Sequence, residues 1–371
     1  MKYLSCFSGV GGLEGSAPPF AVCEIDKNCQ SVLKKKYKET KIIDDVKSIK
    51  GFSVDTIVGG WPCQDLSVAG KKKGLAGENS GLFYAFTNAA IETKSRTLIA
   101  ENVTNLLRLQ SGKVFLEVLR ELNEKGFKYI SWRVLNARQF GLPHSRNRVF
   151  IIASYDKENC YSLFRETPLI KLKVAKFQAD GFYWTAGSQS INYSKGYVPT
   201  IKVGSGLAIA SPPAVIYRDI VRQLTTSEAI KLQGFKVSDF EGLKDNVIFK
   251  MVGNAVAVPV GRFVVDGVAK KKRPKNVEFE LTQESLFDNE IDSNQLIPRV
   301  GFYDGKIHAV KLDHPAILAS NLAAFLDENE KNKLSQRAAA GLLNRLRISG
   351  HNCPEKLERL LHELSTENAG A

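Results

Sequence analysis

Three kinds of side chain suited to group-transfer chemistry stand just behind apolar runs: a thiol at Cys63, a carboxylate at Glu101, and paired guanidiniums at Arg146 and Arg148. Cys63 belongs to Gly59-Gly60-Trp61-Pro62-Cys63-Gln64, which follows Val54-Asp55-Thr56-Ile57-Val58. That run reads as a short buried strand, closed by two glycines in a tight turn. A thiol attacks only as thiolate, so it needs an electropositive, partly exposed setting. Residues 65–74, with Ser67, Lys71, Lys72 and Lys73, are too polar and glycine-rich for a core and predict a mobile basic loop. The arrangement suits a nucleophile facing an anionic polymer; the plain alternative is a small hydrophobe at a strand end.

Glu101 directly follows the apolar run Thr97-Leu98-Ile99-Ala100. Partial desolvation there favours its protonated form and lets it share a proton with a base nitrogen, although an N-cap or surface acid has the same local pattern. Arg146 and Arg148 are two apart on a segment entering a strand, so they are expected on one face, suited to a substrate ring or a phosphate. Near the N-terminus, Phe7-Ser8-Gly9-Val10-Gly11-Gly12-Leu13 lets the backbone turn sharply and approach a ligand closely. Its spacing is not that of a phosphate-cradling loop, and no Lys-Ser/Thr pair follows. Glu24, at the tip of the next strand, can accept both ribose hydroxyls, and Asp44-Asp45-Val46 offers a carboxylate to an adenine amino group. Three such features along one sheet edge indicate a nucleoside cofactor, and S-adenosyl-L-methionine fits because phosphate-binding machinery is missing.

The elements that must position these groups alternate. Apolar runs at 3–7, 21–25, 55–58, 97–100, 130–135 and 149–153 predict strands; residues 28–37, 81–91 and 113–125 carry apolar positions three and four apart and predict helices. This is the pattern of an open α/β sheet, mostly parallel and covered on both faces, with ligands beyond the carboxyl ends of its strands. At 371 residues the chain can hold a large core and a second unit. Its 52 Lys and Arg against 39 Asp and Glu leave +13, which suits nucleic acid or an anionic surface. No run approaches the ~18 apolar residues of a membrane span, and no signal peptide is evident, so a cytoplasmic protein without a membrane partner is expected. The six cysteines contain no Cys-x-x-Cys pair, and with five scattered histidines they predict neither a metal site nor a disulfide framework.

In order and spacing, the glycine loop, Pro62-Cys63-Gln64, Glu101-Asn102-Val103 and the Arg146–Arg148 stretch resemble the DNA cytosine-5 methyltransferases of prokaryotic restriction-modification systems. Residues 222–235, from Arg222 to Phe235, look like that family's block near the end of its recognition domain. Met251-Val252-Gly253-Asn254-Ala255-Val256-Ala257-Val258-Pro259 is similar to its last block. The likeness covers about residues 1–268. Two departures stand out: His144 occupies a position where most members have glutamine, and Ser8 one where alanine is usual. The resemblance implies a discontinuous catalytic domain, 1–154 plus 251–269, with a Rossmann-like methyltransferase sheet. It also implies a smaller β-rich target-recognition domain at 155–250, whose basic and aromatic residues interleave with glycines. It places Phe7, Ser8, Gly9, Val10, Gly11, Gly12, Glu24, Ile25, Asp45, Val46, Gly60, Pro62, Asn254, Ala255 and Val256 at the cofactor. Gln64, Ser67, Lys71, Lys72, Lys73 and Arg222 fall to DNA.

The implied chemistry begins with addition of the Cys63 thiolate to C6 of a cytosine flipped out of duplex DNA. Glu101 bonds N3 and the exocyclic amine, Arg148 and Arg146 hold the ring carbonyl or a flanking phosphate, and C5 takes the methyl group. Two rivals remain, a transfer-RNA cytosine-5 methyltransferase and a catalytically inactive DNA-binding relative. An amino-directed methyltransferase would need an Asp/Asn-Pro-Pro-aromatic loop, which the chain lacks. A cognate restriction endonuclease or phage-defence proteins are expected partners, with the enzyme monomeric on DNA. Beyond the likeness, residues 270–294 read as a basic then acidic linker. Residues 295–371 read as a helical extension, with helices over 315–326, 330–346 and 354–364.

Overall fold

The computed structural model describes the whole chain except residues 63–80, 169, 171–175, 186–189, 203–211, 275, 284–296, 313–317, 329–331 and 367–371. Cys63, Gln64, Ser67, Lys71, Lys72 and Lys73 therefore lie outside the described residues. The chain divides into two compact units, 1–136 with 147–167 and 256–316, and 137–146 with 168–255 and 317–371.

The first unit is built on a mixed sheet. Its parallel part comprises β1 (Tyr3–Cys6), β2 (Ala21–Cys23), β3 (Lys41–Ile43), β4 (Thr56–Gly59) and the start of β5 (Thr97–Val103). Every residue of β1 and of β4 is buried, although successive side chains point to opposite faces, so helices must cover both sides. On one side, α2 (Gly81–Glu92) and α3 (Lys113–Glu124) insert Phe83, Phe86, Phe115 and Leu119 into a core shared with Leu4, Ile57 and Leu98. The helix α1 (Lys27–Lys36) starts where the Asp26 carboxylate accepts from the amides of Asn28 and Cys29. Then β6 (Tyr129–Asn136) and β7 (Asn147–Ser154) join antiparallel, with Glu101 of β5 opposite Phe150 and Val103 opposite Arg148. The helix α7 (Val258–Ala269) returns the chain to this unit.

Residues 276–311 differ from the expected linker. The described part forms β12 (Glu278–Gln283), β13 (Val300–Tyr303) and β14 (Ile307–Lys311), which extend the first unit's sheet to the order β12-β14-β13-β6-β7-β5-β4-β1-β2-β3. Phe279 and Leu281 alternate with Glu278, Glu280 and Thr282, the period of a strand, and the acidic positions suit an outermost strand exposed to water. Gly301 lies opposite Trp132 in the β13–β6 register, and a Cβ there would meet the indole ring at 2.1 Å. The Trp132 Nε1 donates to the Pro298 carbonyl at 2.8 Å.

The second unit carries an antiparallel sheet in the order β11-β10-β8-β9: Ile220–Gln223, Ala214–Tyr217, Ala179–Phe182 and Ser194–Lys195. Two C-terminal helices, α8 (Gln336–Ser349) and α9 (Glu355–Thr366), pack Leu342, Leu346, Leu357 and Leu361 against Phe182, Ile216 and Val221. The Ser335 hydroxyl caps α8, and Gly350 ends it with a positive φ. The expectation of a separate helical extension over 295–371 thus gives way to a division: among its described residues two strands, β13 and β14, join one unit's sheet, and two helices complete the other's core. The helix read over 315–326 is reduced to one 3-10 turn at Leu322–Phe325, with 318–321 irregular and 313–317 outside the described residues.

Candidate active site

In the first unit, the loop after β1 meets the tip of β2. The Gly9 amide donates to Glu24 Oε2 at 2.7 Å, and the Asp26 amide to Oε1 at 2.8 Å. Each carboxylate oxygen keeps a lone pair, so Glu24 is oriented yet still able to accept two hydroxyls. The Gln30 side-chain amide fixes the same corner, donating to the Glu24 carbonyl at 2.5 Å and to Asp44 Oδ1 at 2.7 Å. Lys27 also pairs with Asp44 at 2.9 Å, and both Asp44 and the neighbouring Asp45 are exposed at this strand end. Asp45 caps a short 3-10 turn through Oδ1, with Val46 buried beneath it. Ile25 is 74% exposed beside Glu24, an apolar surface open to a flat ring.

Gly9 and Gly11 have positive φ, and Gly12 admits no side chain at all, since a Cβ would lie 2.0 Å from the Val256 carbonyl oxygen. Val256 is thereby brought under the glycine loop. Asn254 and Ala255 belong to the second unit, where the Ala255 carbonyl accepts from Gln233 Nε2 at 3.3 Å. Below the loop, Ser8 and Ser5 hydroxyls lie 3.0 Å apart, and Ser5 donates to the buried Glu14 carboxyl at 2.8 Å. Burial pushes the Glu14 pKa up, against the opposing pull of Lys36, the Ser5 hydroxyl and the Leu13 amide. These groups fit an adenosine-type cofactor: an oriented ribose acceptor, an exposed carboxylate, an apolar ring platform and a loop stripped of side chains.

The chain leaves β4 through Gly59 and Gly60, and Trp61 then anchors it. Its ring packs on Phe83 at 4.9 Å between centroids, and its carbonyl accepts from Asn102 Nδ2 at 3.3 Å. Pro62 follows, so the approach to Cys63 is set by a buried indole and a buried amide. Glu101, nearly buried, faces this segment: a Cβ on Gly60 would meet Glu101 Oε2 at 2.8 Å. Glu101 Oε1 lies 3.0 Å from Arg148 Nε, and Arg148 also donates to the Asn147 carbonyl at 2.8 Å. A carboxylate and a guanidinium are held together next to the strand end that delivers the thiol.

Arg146 takes other partners. It is buried in the second unit, donating to the carbonyls of Gly253 at 3.0 Å and Ile201 at 3.4 Å. His144 is fully buried beside it, and its Nε2 accepts from the Ile201 amide at 3.0 Å, which gives the imidazole a structural task. The expected shared face for Arg146 and Arg148 is therefore not found. The DNA assignment of Arg222 is also corrected. Its side chain is 1% exposed and lies in a two-pronged pair with the buried Glu228, at 2.6 and 2.9 Å, with further bonds to the Gln223 and Asp327 carbonyls. The turn between β11 and α5 (Thr226–Leu232), closed by a Thr225–Glu228 capping box, brings the two charges together.

Sequence reasoning missed Gln30, Asn102 and Glu14. The roles of Asn102 and Gln30 have no local signal, because each donates to the carbonyl of a residue just past another element, Trp61 after β4 and Glu24 after β2; Glu14 was signalled only by a carboxylate directly after a glycine loop. Among the described residues no cluster of metal-ligating side chains occurs.

The C-5 cytosine-specific DNA methylase family profile matches residues 1–182 and 183–270. The Type II methyltransferase M2.BsuMI of Bacillus subtilis is 35% identical over 298 residues, covering 73% of this chain and 76% of that protein. M.Bsp6I of a Bacillus species, also named a Type II methyltransferase, is 29% identical over 314 residues, covering 73% of this chain and 99% of that protein. Among solved structures, the S. pombe Dnmt2 methyltransferase superposes with a TM-score of 0.50 at 14% identity, over 72% of this chain and 98% of that one.

Proposed function

The chain belongs to the C-5 cytosine-specific DNA methylase family, and from that we propose that it carries a methyl group from S-adenosyl-L-methionine to C5 of a flipped-out cytosine in duplex DNA, through a covalent Cys63–C6 adduct. The observation that carries this reading is the Glu101–Arg148 pair, packed against Gly60 three residues before the thiol. Cytosine C5 is a poor nucleophile, and thiolate addition at C6 makes it enamine-like, dividing one high barrier into two. Glu101 meets N3 and the exocyclic amine, where its hydrogen bonds strengthen as the ring is attacked. Arg148 holds Glu101 in position and reaches the ring carbonyl, whereas Arg146 braces the segment that leads into β7.

Glu24 would hold the ribose hydroxyls of the cofactor, Asp45 the adenine amine and Ile25 the ring face, with Gly9 to Gly12 passing beneath. Bound there, the cofactor supplies an electrophilic methyl group. After transfer, C5 loses its proton to solvent, the C6–sulfur bond breaks with its electrons returning to sulfur, and Cys63 leaves as thiolate. The relatives are named Type II methyltransferases, which supports a restriction-modification setting, and a cognate endonuclease or phage-defence proteins alongside are part of the same proposal.

The test is a duplex bearing 5-fluorocytosine. Fluorine cannot leave as a proton, so the enzyme should stall after methyl transfer as an adduct that survives denaturing electrophoresis. Cys63→Ser should bind cofactor and DNA yet form no adduct. A link mapped by mass spectrometry to another cysteine, or robust methylation by Cys63→Ser, would overturn the mechanism. Labelled methyl appearing on RNA and not on DNA would move the substrate to transfer RNA.

A further inference from the structure

The family match ends at residue 270, yet α8 forms part of the second unit's core, and its outward face has a character of its own. Gln336, Arg337, Ala340, Asn344, Arg347 and Ile348 are all exposed. At about 100° per residue they fall within roughly 120° of arc. No acidic residue occurs anywhere on the helix. Some surface cations of this unit sit beside carboxylates, as Arg218 does by Glu328, Lys356 by Asp219 and Arg359 by Glu363, whereas Lys195, Lys236 and Lys250 are exposed with no ion pair among the described residues. Among the described residues, no ion pair joins Arg337 or Arg347 to a carboxylate, and Ile348, 78% exposed, has the highest exposure among the large apolar side chains. Two guanidiniums without a carboxylate partner on a capped helix leave a positive potential on this face, which an anionic partner would meet.

We propose that this face of α8 is a DNA contact, in which Arg337 and Arg347 hold backbone phosphates; it rests on the reading of DNA as substrate. At about 1.5 Å per residue the two arginines stand roughly 15 Å apart along the axis. That is comparable with the ~12 Å width of the B-DNA major groove, so two long side chains reach phosphates on either side of it. Between them Ala340 keeps the helix surface low, and Asn344 presents an amide able to pair with a base edge or a phosphate. Charge complementarity selects the partner: an acidic duplex for a face that is basic, small and polar, with one apolar end.

The test compares the full chain with the Arg337→Ala/Arg347→Ala pair, binding a long random-sequence duplex over a range of salt concentrations. Loss of two phosphate contacts lowers the slope of log affinity against log salt by about 1.8, and affinity falls at least about tenfold at low salt. Arg337→Lys/Arg347→Lys should restore most of the slope, and Arg359→Ala, which removes a cation already paired with Glu363, should leave it unchanged. Melting temperatures within a degree or so of wild type would exclude a folding defect for these exposed positions. A slope and affinity equal to those of the wild type would overturn the assignment and leave the face to water or a protein. Failure of the wild type itself to bind or methylate DNA would instead count against the proposed function.

Discussion

Gly60 gives the Glu101 carboxylate its place, because a Cβ at that position would come within 2.8 Å of Oε2. The clash is with the end of a flexible side chain, so Gly60→Ala should fold while pushing Glu101 away from Arg148. Misplacing one reacting group by about 1 Å costs on the order of 100-fold in rate. Single-turnover kinetics at saturating cofactor should show that loss in the chemical step, with the melting temperature unchanged. Glu14 gives a second prediction, about pH. Its pKa is raised in the fold by burial, above the ordinary carboxyl value it has when unfolded. Below the unfolded value both states are protonated and the group is neutral to stability. As pH rises past it, the unfolded chain releases its proton and the fold does not, so stability is lost until the folded value is passed. Glu14→Gln keeps the bond from Ser5 and removes the titration. Denaturation midpoints should therefore favour the variant increasingly from about pH 4 upward, the region where a free glutamate titrates. A gap that stays constant with pH would contradict this.

At the scale of the element, the Arg222–Glu228 pair fastens β11 to α5. Both side chains are at most 1% exposed, and Glu228 Oε1 also accepts from the Asp327 amide at 2.7 Å. Removing one partner strands a buried charge, so Arg222→Ala should cost about 3–5 kcal/mol in urea unfolding. Its remaining folded fraction should keep the salt slope for DNA, because a guanidinium spent on an internal carboxylate releases no counterions. A lower slope at unchanged stability would restore Arg222 to the DNA surface. The same strand–turn–helix accounts for the expected DNA role of Arg222: the sequence contained the charges, and the fold turned Arg222 and Glu228 inward together.

For the whole molecule, the C-terminal quarter is not an appendage. A chain ending near Lys275 loses β12, β13 and β14 from one unit and α8 and α9 from the other. Leu334, Leu342, Leu346, Leu357, Leu360 and Leu361 leave the second core together. At roughly 2 kcal/mol for each buried leucine the loss is on the order of 10 kcal/mol, comparable with the entire stability of a domain. The truncated chain should be insoluble, or should lose hydrogen-exchange protection throughout β8, β10 and β11. A soluble truncation that keeps its protection and its sequence preference would refute this account.

The sequence by itself determined most strands of the first unit's sheet, although β6, β7 and β12 to β14 join antiparallel where a mostly parallel sheet is expected. Alternating apolar runs and helical spacings put β1, β2, β4 to β7 and α1 to α3 within a few residues of where they stand, because each signal is local and each element is buried in register with its own pattern. The glycine loop, Glu24 and Glu101 were legible for the same reason, since a ligand edge forms wherever parallel strands end. Only the tertiary structure decided what each side chain touches. It put Arg148 on Glu101, turned Arg146 and Arg222 inward, and gave His144 the Ile201 amide. It also divided residues 276–371 between two cores, since β13 pairs with β6 across more than a hundred intervening residues. Partner choice across such distances is fixed by packing, as in the fit of Gly301 beneath Trp132, and no local run of residues encodes it.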